Sequence, residues 1–272
     1  MISRITKLVI SILFFTVNKI YIIACSLLGR GIPSILVILT YHPIKTSDTA
    51  RFEKQMDILL NSGKPFPLNG NISALPGGNN ISVTFDDAYQ SILQNALPVL
   101  RKKNIPATIF VPAGCLGGKP TWITNPDHSY ANETVLTEEQ LKVLSSISPA
   151  GLITIGSHTV SHINLNHTDE STAKREIFDS KIILETILNK EIKLFAAPFA
   201  TLNEKFIPLF KEAGYQRVFL NIPTFPATKT DLYVLGRTSV EPTDWPIEYR
   251  LKLSGAYQWL PLAISLKKQL LA

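Results

Sequence analysis

Six short apolar runs, residues 35–39, 81–85, 107–111, 152–155, 193–196 and 217–220, alternate along this chain with stretches of helical pattern. Strand-length runs separated by helix-length segments are the sequence form of a parallel sheet, because parallel neighbours need a crossover long enough to hold a helix. The expected fold is therefore α/β, and the alternation alone leaves both an open sheet and a (β/α) barrel in play. The helices carry signals of their own. Phe52, Met56, Leu59 and Leu60 make an apolar stripe, and Thr137-x-x-Gln140 is a capping box ahead of Leu141 and Leu144. A long helix is expected over residues 168–189, and Gly214 is expected to end another over residues 203–213. With 272 residues, 45% of them hydrophobic, the chain can bury a full core, and residues 31–272 suit one domain without internal repeats.

Two polar motifs follow strand-like runs. Thr84-Phe85-Asp86-Asp87 closes the run 81–85, and His158-x-x-x-His162 follows the run 152–155. Residues just past the carboxyl ends of strands line the active sites of α/β folds, so the two motifs are expected to meet at one end of the sheet. Two imidazoles and a carboxylate suit a catalytic site for one borderline divalent ion such as zinc, with a position left for water. With Asp87 as the third ligand beside His158 and His162, Asp86 is free to take the proton of an attacking water whose pKa the metal lowers. The i, i+4 spacing of the histidines is expected to set both rings on one side of a helical turn. Singly, each motif has a plainer explanation, a helix cap for Asp-Asp and a solvated helix face for the His pair. Their joint placement points to a metal hydrolase.

The stretch over residues 83–114, VTFDDAYQSILQNALPVLRKKNIPATIFVPAG, together with IGSHTVSH and Phe195-Ala196-Ala197-Pro198-Phe199-Ala200, resembles the polysaccharide deacetylase family, also called the NodB-homology or carbohydrate esterase 4 family. The resemblance implies a distorted (β/α) barrel that hydrolyses N-acetyl groups from amino sugars in glycans, using zinc or a similar divalent ion. It implies Asp86 as general base and Asp87, His158 and His162 as metal ligands. Many members carry a late His as the acid, whereas no His follows His167 here. Leu39-Thr40-Tyr41-His42 resembles the Tyr-His motif of a subgroup that includes periplasmic poly-N-acetylglucosamine deacetylases, which makes His42 the candidate acid and Tyr41 a candidate substrate contact. A His capping a strand end is the plainer alternative. Arg237, in Leu235-Gly236-Arg237-Thr238, is similar to the Arg of the family's Leu-Pro-Arg segment, expected to pair with the base carboxylate; a lone surface Arg would read the same. Pro198 and Phe199 are candidate substrate contacts, with a backbone N–H in this segment expected to meet the oxyanion. Ala88 and Ala200 stand where the family has Gly, so the cleft is expected to be reshaped there. The rival readings are a non-catalytic glycan-binding relative and a metal amidase with a non-carbohydrate substrate.

Residues 8–28 form an apolar-rich segment of membrane-spanning length, preceded by Arg4 and Lys7 and interrupted by Asn18 and Lys19. A central Lys costs about 2.5 to 3.5 kcal/mol on insertion scales, which about a dozen aliphatic and Phe residues at roughly −0.3 to −0.6 each offset. A spanning helix, a helix lying in the interface and a buried core helix all fit. The expected division is a membrane-associated helix over residues 1–30 and a catalytic domain over 31–272. If the segment spans, Arg4 and Lys7 against Arg30 lean toward a domain outside the cytoplasm. No small-x-small cleavage site precedes the first strand run, and Cys25 and Cys115 have no evident partner. A net charge of +6 suits an anionic membrane or a lipid-linked phosphate. The basic residues are scattered and no nucleic-acid motif is present. Trp122, Trp245 and Trp259 suit either a sugar site or the core. The partners expected are an N-acetylated glycan or lipid-linked amino sugar and a membrane; nothing in the pattern sets an oligomeric state.

Overall fold

The structure, a computed structural model, describes residues 3–29, 34–147, 151–200, 202–223 and 232–263. Arg30, expected to flank the apolar segment, lies outside the described residues. The chain runs α1 (Arg4–Leu27), β1 (Ser34–Tyr41), α2 (Thr49–Ser62), β2 (Lys64–Pro65), β3 (Gly78–Phe85), α3 (Leu97–Lys103), β4 (Ala107–Val111), α4 (Glu138–Ser145), β5 (Ile153–Ser157), α5 (Glu170–Leu188), β6 (Leu194–Ala196), α6 (Ile207–Glu212), β7 (Arg217–Leu220), β8 (Val234–Gly236), β9 (Thr238–Ser239) and α7 (Pro246–Leu253). All six expected strands are present, and among the described residues every pairing between strands is parallel.

The strand order β8-β7-β6-β5-β4-β3-β1-β9 looks like an open sheet until its two ends are compared. β8 and β9 are successive halves of one segment divided at Arg237: the first half pairs with β7 and the second with β1. Arg237 N–H donates to Leu220 O (2.7 Å) and Val240 N–H to Thr40 O (3.0 Å), so one split strand closes the sheet into a barrel. That is the NodB-type (β/α) barrel.

Strand side chains alternate between the two sides of the wall. Val37, Leu39 and Tyr41 of β1, Val83 and Phe85 of β3 and Ile109 and Val111 of β4 face outward into the main core beneath the helices. Ile38, Phe110, Leu194, Phe219 and Leu235 form a smaller inner core, which Leu68 and Ile72 join from the segment between β2 and β3. The helices follow their local signals. α4 has the capping box of Thr137 and Gln140, and α5 starts on an Asp169 cap and ends on Asn189 in the left-handed conformation. α6 is shorter than expected, opening as a 3-10 turn over Glu204–Phe206 and ending ahead of Gly214 at φ +83°. In α2, Phe52, Met56 and Leu59 are buried, whereas Leu60 faces outward.

α1 does not stand apart from the barrel. Its Leu8, Phe14 and Phe15 pack against Leu251, Ala256 and Tyr257, and Trp259 Nε1 donates to Ser11 Oγ at 2.9 Å.

Candidate active site

The carboxyl ends of the strands deliver the polar groups. Past β3, Asp86 N–H still pairs with Tyr41 O (3.0 Å). Asp87 (φ 68°) and Ala88 (φ 50°) then take left-handed conformations in succession. Each costs an L-residue about 1 to 2 kcal/mol, and Ala88 occupies the position where the motif's Gly would avoid that cost. Past β5, His158 N–H donates to Val111 O (2.9 Å).

The segment from His158 to His162 is not the helical turn that its spacing led one to expect. It is a loop with Thr159 (φ 67°) and His162 (φ 56°) in left-handed conformations, and this path brings the two ring centroids within 4.9 Å. Ala113 and Gly114 N–H groups hold it by Thr159 O (3.0 Å) and Val160 O (2.8 Å). Glu176 on α5 holds its other side, accepting from the N–H groups of Val160 (2.8 Å) and Ser161 (2.9 Å) and from Ser161 Oγ. A Cβ at Gly114 would stand 2.8 Å from Val160 Cγ1 and 3.0 Å from Val160 O, so this approach needs glycine.

One ligating atom from each of Asp87, His158 and His162 falls within 4.8 Å of the others, and all three residues are buried. Asp87 Oδ1 lies 3.0 Å from His162 Nε2 and 3.6 Å from His158 Nε2, yet among the described residues it has no hydrogen-bond partner. His158 Nδ1 is 2.7 Å from Ala196 O. A carbonyl only accepts, so Nδ1 carries the proton and Nε2 turns its lone pair toward Asp87. Burial pushes His158 down to about 4, with the neighbouring carboxylates of Asp86 and Asp87 opposing, so the imidazole is neutral at pH 7. Burial would raise Asp87, but His162 and His158 bring it below the usual carboxylate range. Among the described residues His162 has no partner at Nδ1 and is held by rings: Trp122 stacks on it at 4.2 Å and Phe199 meets it edge-on at 5.1 Å. Neutral imidazole, an ionised carboxylate and an unpaired buried oxygen fit a divalent ion.

Asp86 sits beside this cradle in a different environment. Arg237, fully buried, donates from Nη1 to Asp86 Oδ1 (2.6 Å) and from Nη2 to Oδ2 (2.8 Å), and Nη1 also reaches the hydroxyls of Thr40 (3.2 Å) and Thr84 (3.1 Å). Burial alone would raise the Asp86 pKa; the guanidinium, helped by His158 and His42, holds it well below the usual range.

His42, Asp86, Asp87, His158, His162 and Phe199 line one cleft of about 590 Å³. His42 Nδ1 is buried and without a partner among the described residues, and the ring stacks on Tyr130 at 6.0 Å. Two expected substrate contacts lie elsewhere. Tyr41 is fully buried in the outer core, its hydroxyl donating to Gln55 Oε1 (2.9 Å) and lying 3.1 Å from the Tyr249 hydroxyl. Adjacent strand residues face opposite sides, and Tyr41 falls on the helix side. Pro198 is buried and does not line the cleft, whereas Phe199, at φ 57°, is 52% exposed and does. Of the tryptophans only Trp122 lines the cleft; Trp245 and Trp259 lie against α1. Sequence reasoning missed Tyr89, Tyr130, Asn221 and Glu241, which line the cleft too. Asn221 and Glu241 stand just past β7 and β9, so the strand-end rule would have found them once those strands were known.

Fold and mouth together define a NodB-type barrel protein. The sequence matches the polysaccharide deacetylase family profile over residues 75–218, and the chain belongs to that family. It is 29% identical over 221 residues to YxkH of Bacillus subtilis (strain 168), provisionally named a polysaccharide deacetylase, covering 77% of this chain and 73% of YxkH. It is 26% identical over 148 residues to a poly-beta-1,6-N-acetyl-D-glucosamine N-deacetylase of Staphylococcus aureus (strain MRSA252), covering 52% of this chain and 47% of that protein. Among solved structures, IcaB from Ammonifex degensii superposes with a TM-score of 0.65 at 23% identity, covering 84% of this chain and 98% of the other. The deacetylase PplD of Streptococcus pyogenes superposes with a TM-score of 0.60 at 21% identity, covering 76% and 93%. At these identities the structural likenesses speak for the fold.

Proposed function

We propose that this protein is a metal-dependent N-deacetylase that hydrolyses an acetamide on an amino sugar of a surface glycan or its lipid-linked precursor, and that it works at a membrane. The observation that carries the reading is the convergence of Asp87, His158 and His162 on one point beside the Arg237-held carboxylate of Asp86, in a single cleft. Asp87, His158 and His162 would hold the ion, and zinc suits two nitrogens and one oxygen. When bound, it supplies a Lewis acid that activates water and polarises the acetamide carbonyl.

The chain's own groups supply the proton traffic. Asp86, kept ionised and fixed in orientation by Arg237, accepts the proton of the attacking water. His42 in its protonated form delivers a proton to the departing amine. Trp122, Tyr130 and Phe199 give the cleft apolar walls suited to a sugar ring, while Asn125, Asn221 and Glu241 offer polar groups for its hydroxyls. The staphylococcal relative, named for poly-N-acetylglucosamine, supports an N-acetylhexosamine substrate. The four polar residues of the two motifs are all intact, which weighs against a non-catalytic glycan binder.

Acetate release by the full chain should be measured against free, oligomeric and lipid-linked N-acetylhexosamines, with and without chelator. Release from at least one sugar, abolished by chelator and restored by zinc, is expected. Release from simple acyl amides but from none of the sugars would replace the carbohydrate reading with the amidase one.

A further inference from the structure

The outer face of α1 has no role in the cleft, yet its placement is specific. The first turn is tied near the cleft rim. Arg4 donates to Glu248 Oε2 from Nε (2.8 Å) and Nη2 (2.6 Å), stands 3.9 Å from Asp244 and covers the Trp245 ring at 4.3 Å. These partners follow closely on Glu241, which lines the cleft. The other half of α1 shares a groove of about 460 Å³ with Ile35 and Asn79, near the starts of β1 and β3. The helix therefore runs down the flank of the barrel, from the mouth to the opposite end.

At 3.6 residues per turn, Arg4, Leu8, Ser11, Phe15 and Ile22 fall on the side that meets the barrel. Ile5, Val9, Ile12, Leu13, Ile20 and Leu27 fall on the other side; Ile5, Leu13 and Ile20 are 64%, 65% and 62% exposed. That outward side carries no charge. Its two threonines have internally bonded hydroxyls, Thr6 with Ser3 Oγ (2.7 Å) and Thr16 with Ile12 O (2.9 Å), which lowers the cost of placing them in an apolar medium. Among the described residues, the groove between α1 and α7 is lined by Lys19 and Arg250 and by no acidic side chain.

A helix of 24 residues is about 36 Å long, enough to cross a hydrocarbon core of about 30 Å. Crossing would carry the docked middle of α1 into the hydrocarbon. It would take along α7 with Glu248, Arg250 and Lys252, placing three ionisable groups in hydrocarbon, or strip Arg4 and Ser11 of their partners; each alternative costs interactions that an in-plane helix keeps. We infer that α1 is an in-plane, monotopic helix whose outward face sinks into one leaflet. The barrel then lies on its side, its cleft opens along the membrane surface, and Lys19 and Arg250 meet anionic headgroups. This rests on the membrane reading of residues 8–28 and adds its geometry. Because an in-plane helix crosses nothing, the flanking charges no longer assign the domain to one side.

The test uses the full chain with Cys25→Ser and Cys115→Ser and single cysteines at Ile5, Leu13, Ile20 or Leu27, bound to sealed vesicles of phosphatidylcholine and phosphatidylglycerol. Fluorophores at all four positions should report one similar, shallow depth. Cysteines at Ile5 and Leu27 should be protected to the same degree from an impermeant maleimide added outside, and loading the reagent inside the vesicles should label neither. Lys19→Glu with Arg250→Glu should weaken vesicle binding at least tenfold, and only when phosphatidylglycerol is present. A deep Leu13 flanked by shallow ends, with Ile5 and Leu27 reactive from opposite sides, would overturn the in-plane geometry and keep the membrane. Failure of the chain to float with vesicles would overturn both.

Discussion

Arg237 and Asp86 form a two-pronged ion pair, 2.6 and 2.8 Å, in which Arg237 is fully buried and Asp86 is 3% exposed. The same Arg237 divides the last strand, with β8 pairing on one side and β9 on the other. Barrel closure and the setting of the proposed base thus depend on one residue. A planar, permanently charged fork is the group that can satisfy both carboxylate oxygens at once.

Removing one partner of a buried pair strands the other charge, at a cost of about 3 to 5 kcal/mol. Arg237→Met should lower unfolding stability by that order in urea titration and abolish turnover, because Asp86 would lose the cation that keeps it ionised. Adding Asp86→Asn to Arg237→Met should recover much of the stability and none of the activity. A double variant no more stable than the single one would mean the loss comes from the split strand and not from the stranded carboxylate.

The proposed base and the proposed metal ligands should separate in mutants. Asp86→Asn is expected to keep about one equivalent of zinc while turnover falls at least about 100-fold, since an amide does not take up the proton. His158→Ala is expected to lose the metal. Metal analysis and circular dichroism on both variants check this; unchanged zinc in a folded His158→Ala would remove that residue from the ligand set.

His42 has a narrower expectation. Its buried, unpaired Nδ1 and its place on the cleft wall suit a group that meets substrate. His42→Ala should bind zinc normally and lose about 100-fold or more on an unactivated acetamide, but much less on a substrate whose leaving amine needs no proton. Equal losses on both substrates would assign His42 to positioning instead of acid chemistry.

The six strands, their parallel pairing and the polar residues past β3 and β5 were readable because each is local: an apolar run, then contiguous polar residues. The closing strand was not, since Gly236 and Arg237 interrupt it and its halves are only three and two residues long. The i, i+4 histidines were assigned a helical turn because spacing does not reveal backbone conformation; positive φ at Thr159, a β-branched residue that rarely adopts it, leaves no mark in the sequence. Tyr41 could have been excluded from the cleft, because period-two alternation sets it opposite to Thr40, inside the barrel with Arg237. Glu176, mid-helix and eighteen residues from His158 in sequence, announces nothing of its grip on the histidine loop.

Acid should weaken the metal-stripped protein earlier than carboxylate titration would. Burial sets His158 at about 4 in the folded chain against the ordinary 6.5. Between those values the unfolded chain takes up a proton that the folded chain refuses, so stability is full above about pH 6.5 and falls as pH drops toward 4, by on the order of 3 kcal/mol. Asp86 and Asp87, both held low, add their loss only at still lower pH. Melting curves of chelated wild type and His158→Asn across this window should diverge, the variant being flatter. Parallel curves would show that the imidazole is hydrated in the folded state.

The last expectation concerns Glu176. Its carboxylate accepts both N–H groups at the turn between the two histidines, from a helix that is otherwise remote from the cleft. With Gly114 on the opposite side, it confines a loop whose two left-handed residues would relax without support. Loss of a group that orients metal ligands typically costs 10- to 100-fold in metal affinity. Glu176→Ala should therefore bind zinc about that much more weakly in competition with a chromophoric chelator, while α5, capped at both ends by Asp169 and Asn189, keeps its helicity. Glu176→Asp, whose shorter arm still carries two acceptors, should fall between. Wild-type zinc affinity in Glu176→Ala would mean that the pairing of Ala113 and Gly114 with the loop suffices to set the histidines.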